Sequence, residues 1–161
     1  MSRTSIPLLI AIVTMAFACS DQATDPLERM QKRIAETTSA ADHDADLLMV
    51  RHILISFNGA PKTESTRTLV EAEKFAAELF AQIEDGADFD SLMKKHSDDP
   101  GPGVYPMSAD RVPPTPGVTQ RTGMVKSFGD VAWRLDVGET SVAPHHEKDS
   151  PFGWHIIQRT E

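Results

Sequence analysis

LLMVRHILISF, residues 47–57, is β-branched and apolar, and Asn58-Gly59 ends the run. This composition predicts a strand buried on both faces, closed by a turn. His52 lies at its centre. Taken alone, a strand histidine of this kind is a satisfied residue that helps hold a sheet together.

Working outward, Thr68 and Glu71 form a capping-box pattern, and Leu69, Ala72, Phe75, Ala76, Leu79, Phe80 and Ile83 recur at helical spacing until Gly86. This predicts a helix whose apolar stripe needs a sheet to cover. Asp88 can cap a second, short helix with Phe89, Leu92, Met93 and His96 on one face. From Ser97 to Gly123 the pattern breaks at Pro100, Pro102, Pro106, Pro113, Pro114 and Pro116, which predicts a long loop. Ser127 with Asp130 resembles another capping box, for a helix with Phe128, Val131, Ala132 and Leu135 on one face and Gly138 at its end. A short strand at Thr140–Ala143 and a last one through Trp154-His155-Ile156-Ile157 complete the order, and no internal repeat is visible.

Upstream of the first strand the chain changes character. Arg3, the apolar run Ile6 to Phe17 and the small residue Ala18 read as an export signal over residues 1–18, too short to span a bilayer as a helix. Residues 19–46 are charged and small polar, with a short helix around Leu27 to Ile34 and no period from Thr37 to Asp46, and are expected to be a flexible tether. The ordered domain is expected over 47–161.

The 161 residues, 40% hydrophobic and 25% charged, suit one globular domain with an appendage. Acidic residues outnumber basic ones 24 to 16, for a net charge of −8, so nucleic acid is not an expected partner. The single cysteine, Cys19, excludes a disulfide within the chain.

Four segments carry a resemblance, in order: VRHILI at 50–55, FDSLMKKHSDD at 89–99, MVKSFGDVAWRLDVGETS at 124–141 and FGWHIIQRTE at 152–161. Together they resemble the parvulin-type peptidyl-prolyl cis-trans isomerases, in a bacterial lipoprotein form. The resemblance implies an α+β fold, a four-stranded antiparallel sheet wrapped by about three to four helices. It implies catalysis of rotation about the bond before proline, without a cofactor or metal. His52 and His155 match the family's paired histidines, and Asp99 its acid or thiol position, with Asp98 one step away. Met124 and Phe128 match the floor of the proline pocket, Phe152 its rim, and Ser150 a hydroxyl that often supports the second histidine. The implied substrates are proline-containing unfolded or newly exported polypeptides. Ala16-Phe17-Ala18-Cys19 resembles a lipobox with Cys19 lipidated, and Ser20 after it resembles cargo sent to the periplasmic face of an outer membrane.

The chain also departs from the family. A Gly-Gly-Asp-Leu-Gly type of turn usually follows the acid, and here GPGVYPM at 101–107 stands in its place. Val125 replaces a position that is often Gln, and HHEKDSP at 145–151 lengthens the last turn. These changes leave room for a peptide-binding chaperone module with little isomerase activity. His145-His146-Glu147 lacks the spacing of a closed metal site. The loop NGAPKTESTRT offers only Lys62 and Arg67, with Glu64 between them, so selection of phosphorylated substrates is not expected.

Overall fold

The computed structural model describes residues 25–161. The signal expected at 1–18, Cys19 and the first residues of the expected tether lie outside the described residues.

The sheet has the order β3-β2-β1-β5-β4, and β1 (Leu47–Ile55) occupies its middle. β1 pairs antiparallel with β2 (Val104–Ser108) on one side and with β5 (Trp154–Arg159) on the other. β4 (Thr140–Ala143) continues the antiparallel set beyond β5. The resemblance's four antiparallel strands are therefore present. A two-residue strand, β3 (Thr119–Gln120), adds a fifth, parallel to β2.

Both β2 and β3 come from the stretch 97–123, expected as a loop. Its prolines hide the strand β2. Pro106 faces Met49, between the Val50–Tyr105 and Leu48–Met107 pairs. The bond from His52 N to Gly103 O, 2.8 Å, fixes the alternation and puts Pro106 at a position that owes no hydrogen bond to β1.

Alternation along β1 divides the molecule into two layers. Ile53 and Ile55, with Trp154 and Ile156 of β5, face α2 (Leu69–Glu84) and α3 (Phe89–His96), and pack on Ala76, Phe80 and Phe89. Leu48 and Val50, with Ile157, face α4 (Lys126–Arg134) and pack on Phe128, Ala132 and Leu135. The capping box on α2 forms: Thr68 N donates to Glu71 Oε2 at 2.7 Å, and Glu71 N to Thr68 Oγ1 at 3.2 Å. Asp88 caps α3 by accepting from Ser91 N at 2.9 Å. The box expected at Ser127–Asp130 does not form. α4 starts two residues earlier, behind Val125, and Asp130 accepts instead from Arg121 Nη2 at 2.9 Å.

Residues 25–46 correct the expected tether. Pro26–Ser39 form a helix, α1, capped by Asp25, and it is packed: Met30 is 1% exposed. α1 also covers the β4 edge of the sheet, where Arg33 Nε donates to Thr140 O (2.9 Å) and Thr37 Oγ1 to Ser141 Oγ (2.8 Å). The connection 40–46 has no period because it is held by distant partners. Asp42 pairs with Arg121 and Arg134, while Asp44 and Asp46 both pair with Arg111. Folded structure thus begins well before residue 47.

Candidate active site

His52 on β1 and His155 on β5 are two residues apart diagonally, since Leu54 is the direct partner of His155 and Ile157 that of His52. Both side chains point to the α4 face, and cross-strand diagonals lie within reach of long side chains. Their Nδ1 atoms are 3.4 Å apart. Phe128, wholly buried on α4, sets its ring edge-on to both, at centroid distances of 5.1 and 5.5 Å.

Asp99 enters from the end of α3. Asp98 N donates to Leu54 O and Leu54 N to Ser97 Oγ, which fastens this segment alongside β1. The two aspartates then part. Asp98 Oδ2 accepts from Ser56 N (2.8 Å) and Arg67 Nη1 (2.7 Å). Asp99 Oδ2 meets His52 Nε2 at 2.9 Å and accepts from Tyr105 Oη at 2.8 Å, while Oδ1 accepts from Gly101 N at 3.1 Å. Asp99 is the one that touches the histidine, although both aspartates line the cavity beside it.

These bonds set the electrostatics. The His52 contact is the largest cause holding the Asp99 carboxyl well below the usual carboxylate range; burial opposes it, and Tyr105 and Gly101 add to it. Burial pushes the Tyr105 hydroxyl up, and its bond to Asp99 pushes the same way. Burial pushes His155 down to about 3, with His52 adding in the same direction. A charged Asp99 can only accept, so the His52 Nε2 that faces it carries a proton. In the tautomer that leaves His52 Nδ1 free to accept, His155 Nδ1–H donates to it, and His155 Nε2 is left bare. Among the described residues, that buried nitrogen makes no hydrogen bond.

A cavity of about 310 Å³ opens against this array, lined by His52, Asp99, Met124, Phe128, Phe152 and His155, with Leu54 and Tyr105 beside them. Six of the seven residues singled out in the sequence therefore meet at one place. Ser150 does not. It is fully buried, but its hydroxyl donates to Gly153 O at 3.0 Å and braces the turn before β5 rather than His155. Tyr105 was missed because it sits in the stretch expected as a loop; its place in VYPM, alternating before a buried Met, was the available signal. Arg67 is committed to Asp98 and lies over Phe75, which leaves Lys62 at the cavity mouth. Among the described residues no group of three or more His, Cys, Asp or Glu is placed to hold a metal ion. His145 instead packs edge-on to Phe57, at 4.7 Å.

The family model for the PPIC-type PPIase domain matches residues 30–161. The chain belongs to this family, the parvulin-type rotamases. Its PPIC-type domain is 36% identical over 101 residues to the foldase protein PrsA 4 of Bacillus cereus, covering 63% of this chain and 32% of that protein. It is 34% identical over 113 residues to the chaperone SurA of Pseudomonas aeruginosa, covering 70% and 23%. It is 37% identical over 91 residues to a probable parvulin-type peptidyl-prolyl cis-trans isomerase of Bordetella pertussis, covering 56% and 31%. The chain thus spans about a third or less of these relatives' length. A solution structure of TbPIN1 shares the rotamase fold, with a TM-score of 0.54 at 22% identity over 73% of this chain and 99% of that one. The family match begins inside α1, in keeping with a folded unit that starts before residue 47.

Proposed function

We propose that this chain is a peptidyl-prolyl cis-trans isomerase that assists the folding of exported polypeptides, with proline seated on Met124, Phe128 and Phe152. The observation that carries this reading is the meeting of that apolar floor with the hydrogen-bonded line Asp99–His52–His155 in one cavity.

The reaction is a rotation with an uncatalysed barrier of about 18–20 kcal/mol, set by amide conjugation. As the amide twists, its carbonyl loses charge and its solvation matters less, so a dry apolar pocket favours the twisted form over the planar one. Burying the pyrrolidine ring's three methylenes contributes about 2 kcal/mol of anchoring, which holds one side of the bond while the other turns. His52 and Asp99 act electrostatically. The carboxylate's bonds are taken up by His52, Tyr105 and Gly101, an arrangement suited to fixed polarity rather than to attack on a carbonyl. Refolding of a denatured protein whose slow phase is limited by an Xaa-Pro bond should speed up in proportion to added chain. No change in the slow phase would overturn the reading.

The second reading, a chaperone module that binds peptides without turning them over, is supported by the likeness to SurA and by Val125 at the cavity wall. It predicts tight peptide binding with no rate enhancement.

The names of the foldase and chaperone relatives, with the apolar N-terminal run, support a site of action outside the cytoplasm. The finer reading is a signal at 1–18, lipidation of Cys19 and a place on the periplasmic face of an outer membrane, with any tether confined to the residues before Asp25. Two acyl chains on one cysteine suffice for stable anchoring. Mass spectrometry of the mature N-terminus should find a diacylated Cys19; an unmodified start elsewhere would refute it.

A further inference from the structure

The stretch that replaces the family's usual turn, residues 101–107, supplies two of the three donors to Asp99. Gly101 N reaches Oδ1, and the Tyr105 hydroxyl shares Oδ2 with His52. The backbone of Tyr105 is fixed twice over. It pairs with Val50 across the β1–β2 ladder, and Pro106 after it disfavours a helical conformation. Gly101 carries the most specific sign. A Cβ built there would lie 2.3 Å from Tyr105 Oη and 3.1 and 3.3 Å from the two Asp99 carboxylate oxygens, so the absence of a side chain at 101 leaves room for the hydroxyl and the carboxylate to meet. Gly101 is not in the left-handed region, so conformational freedom does not account for the glycine.

We propose that Tyr105 is a positioning residue for the isomerisation: its hydroxyl holds the Asp99 carboxylate charged and turned onto His52, fixing the proton on His52 Nε2. Through the Nδ1 contact it also fixes which nitrogen of the buried His155 is bare. A tyrosine serving only as an apolar wall would need its ring, 5.4 Å from that of His52, and not its hydroxyl. The kinetic part rests on the isomerase reading above, whereas the hydrogen-bond part does not.

The test uses the full chain with Tyr105→Phe, which keeps the ring and removes only the hydroxyl, and Gly101→Ala, which keeps the tyrosine but crowds its hydroxyl and, less closely, the Asp99 carboxylate. Carbon-detected NMR of the Asp99 carboxyl should show both variants protonating at higher pH than wild type, because a donor to the charged form is lost. On an Xaa-Pro peptide, kcat should fall about three- to tenfold in both, with KM within about twofold. In an Asp99→Ala background, Tyr105→Phe should have no further effect on kcat. An unchanged Asp99 titration in both variants, or a full Tyr105→Phe effect without Asp99, would overturn the proposal. If the wild type accelerates nothing, the isomerase reading fails, and the Asp99 titration alone decides the role of Tyr105.

Discussion

Nε2 of His52 and Oδ2 of Asp99 lie 2.9 Å apart, and this contact is the largest reason the Asp99 carboxyl stays charged far into acid. It joins the middle strand of the sheet to the segment after α3, so one bond serves both the fold and the cavity wall.

The folded pKa of Asp99 is depressed, so its contribution to stability is complete above the unfolded value of about 4 and is lost as pH falls through the folded one. Asp99→Ala leaves the buried His52 and the half-buried Tyr105 hydroxyl without their acceptor and should cost about 1–3 kcal/mol at neutral pH. Urea midpoints across a pH series should show the variant less sensitive than wild type below pH about 4. Parallel profiles would contradict the assignment.

His155, also depressed, gives a second window. Its unfolded value is about 6.5, and its folded value is pushed down to about 3, mainly by burial. Between these pH values the unfolded chain binds a proton that the native chain refuses, so stability is full above about 6.5 and declines as pH falls toward 3. His155→Gln should flatten this decline in the same urea series.

Phe128 is core and cavity floor at once, fully buried and edge-on to both histidines. Phe128→Ala should lower stability by about 3–5 kcal/mol, read by thermal or chemical denaturation. Phe128→Leu should preserve folding while weakening peptide binding about three- to tenfold, the worth of a lost aromatic contact, as measured by titration calorimetry.

Met30 tests where the domain begins. Because its side chain is sealed between α1 and the α2 layer, Met30→Ala should cost about 2–5 kcal/mol. A chain starting at residue 47 should be less stable than one starting at residue 25. Equal denaturant midpoints would mean that α1 adds nothing.

The parts of the fold that were legible from sequence are those with a local signature. The strand at 47–57, the capped helices at 69 and 89 and the closing strand all announce themselves by period and cap. His52, His155, Met124 and Phe128 could be named because they lie on such elements. The rest is decided by partners far away in the chain. β2 carries a proline and is a strand only because β1 offers it a position that needs no N–H. Residues 40–46 look like a tether until Arg111, Arg121 and Arg134 arrive to hold their aspartates. Ser150 differs for the opposite reason: its partner is local, the Gly153 carbonyl of its own turn, and not the neighbouring histidine.

The central claim is that this cavity rotates Xaa-Pro bonds. Exchange NMR on a short Xaa-Pro peptide, with catalytic amounts of the full chain, measures that rotation directly. The account predicts cis–trans exchange cross-peaks that grow with added wild-type chain, are strongly reduced by His155→Ala or Phe128→Ala, and are little affected by Lys62→Ala. A peptide that binds in the cavity and yet exchanges no faster than it does free in solution would contradict it.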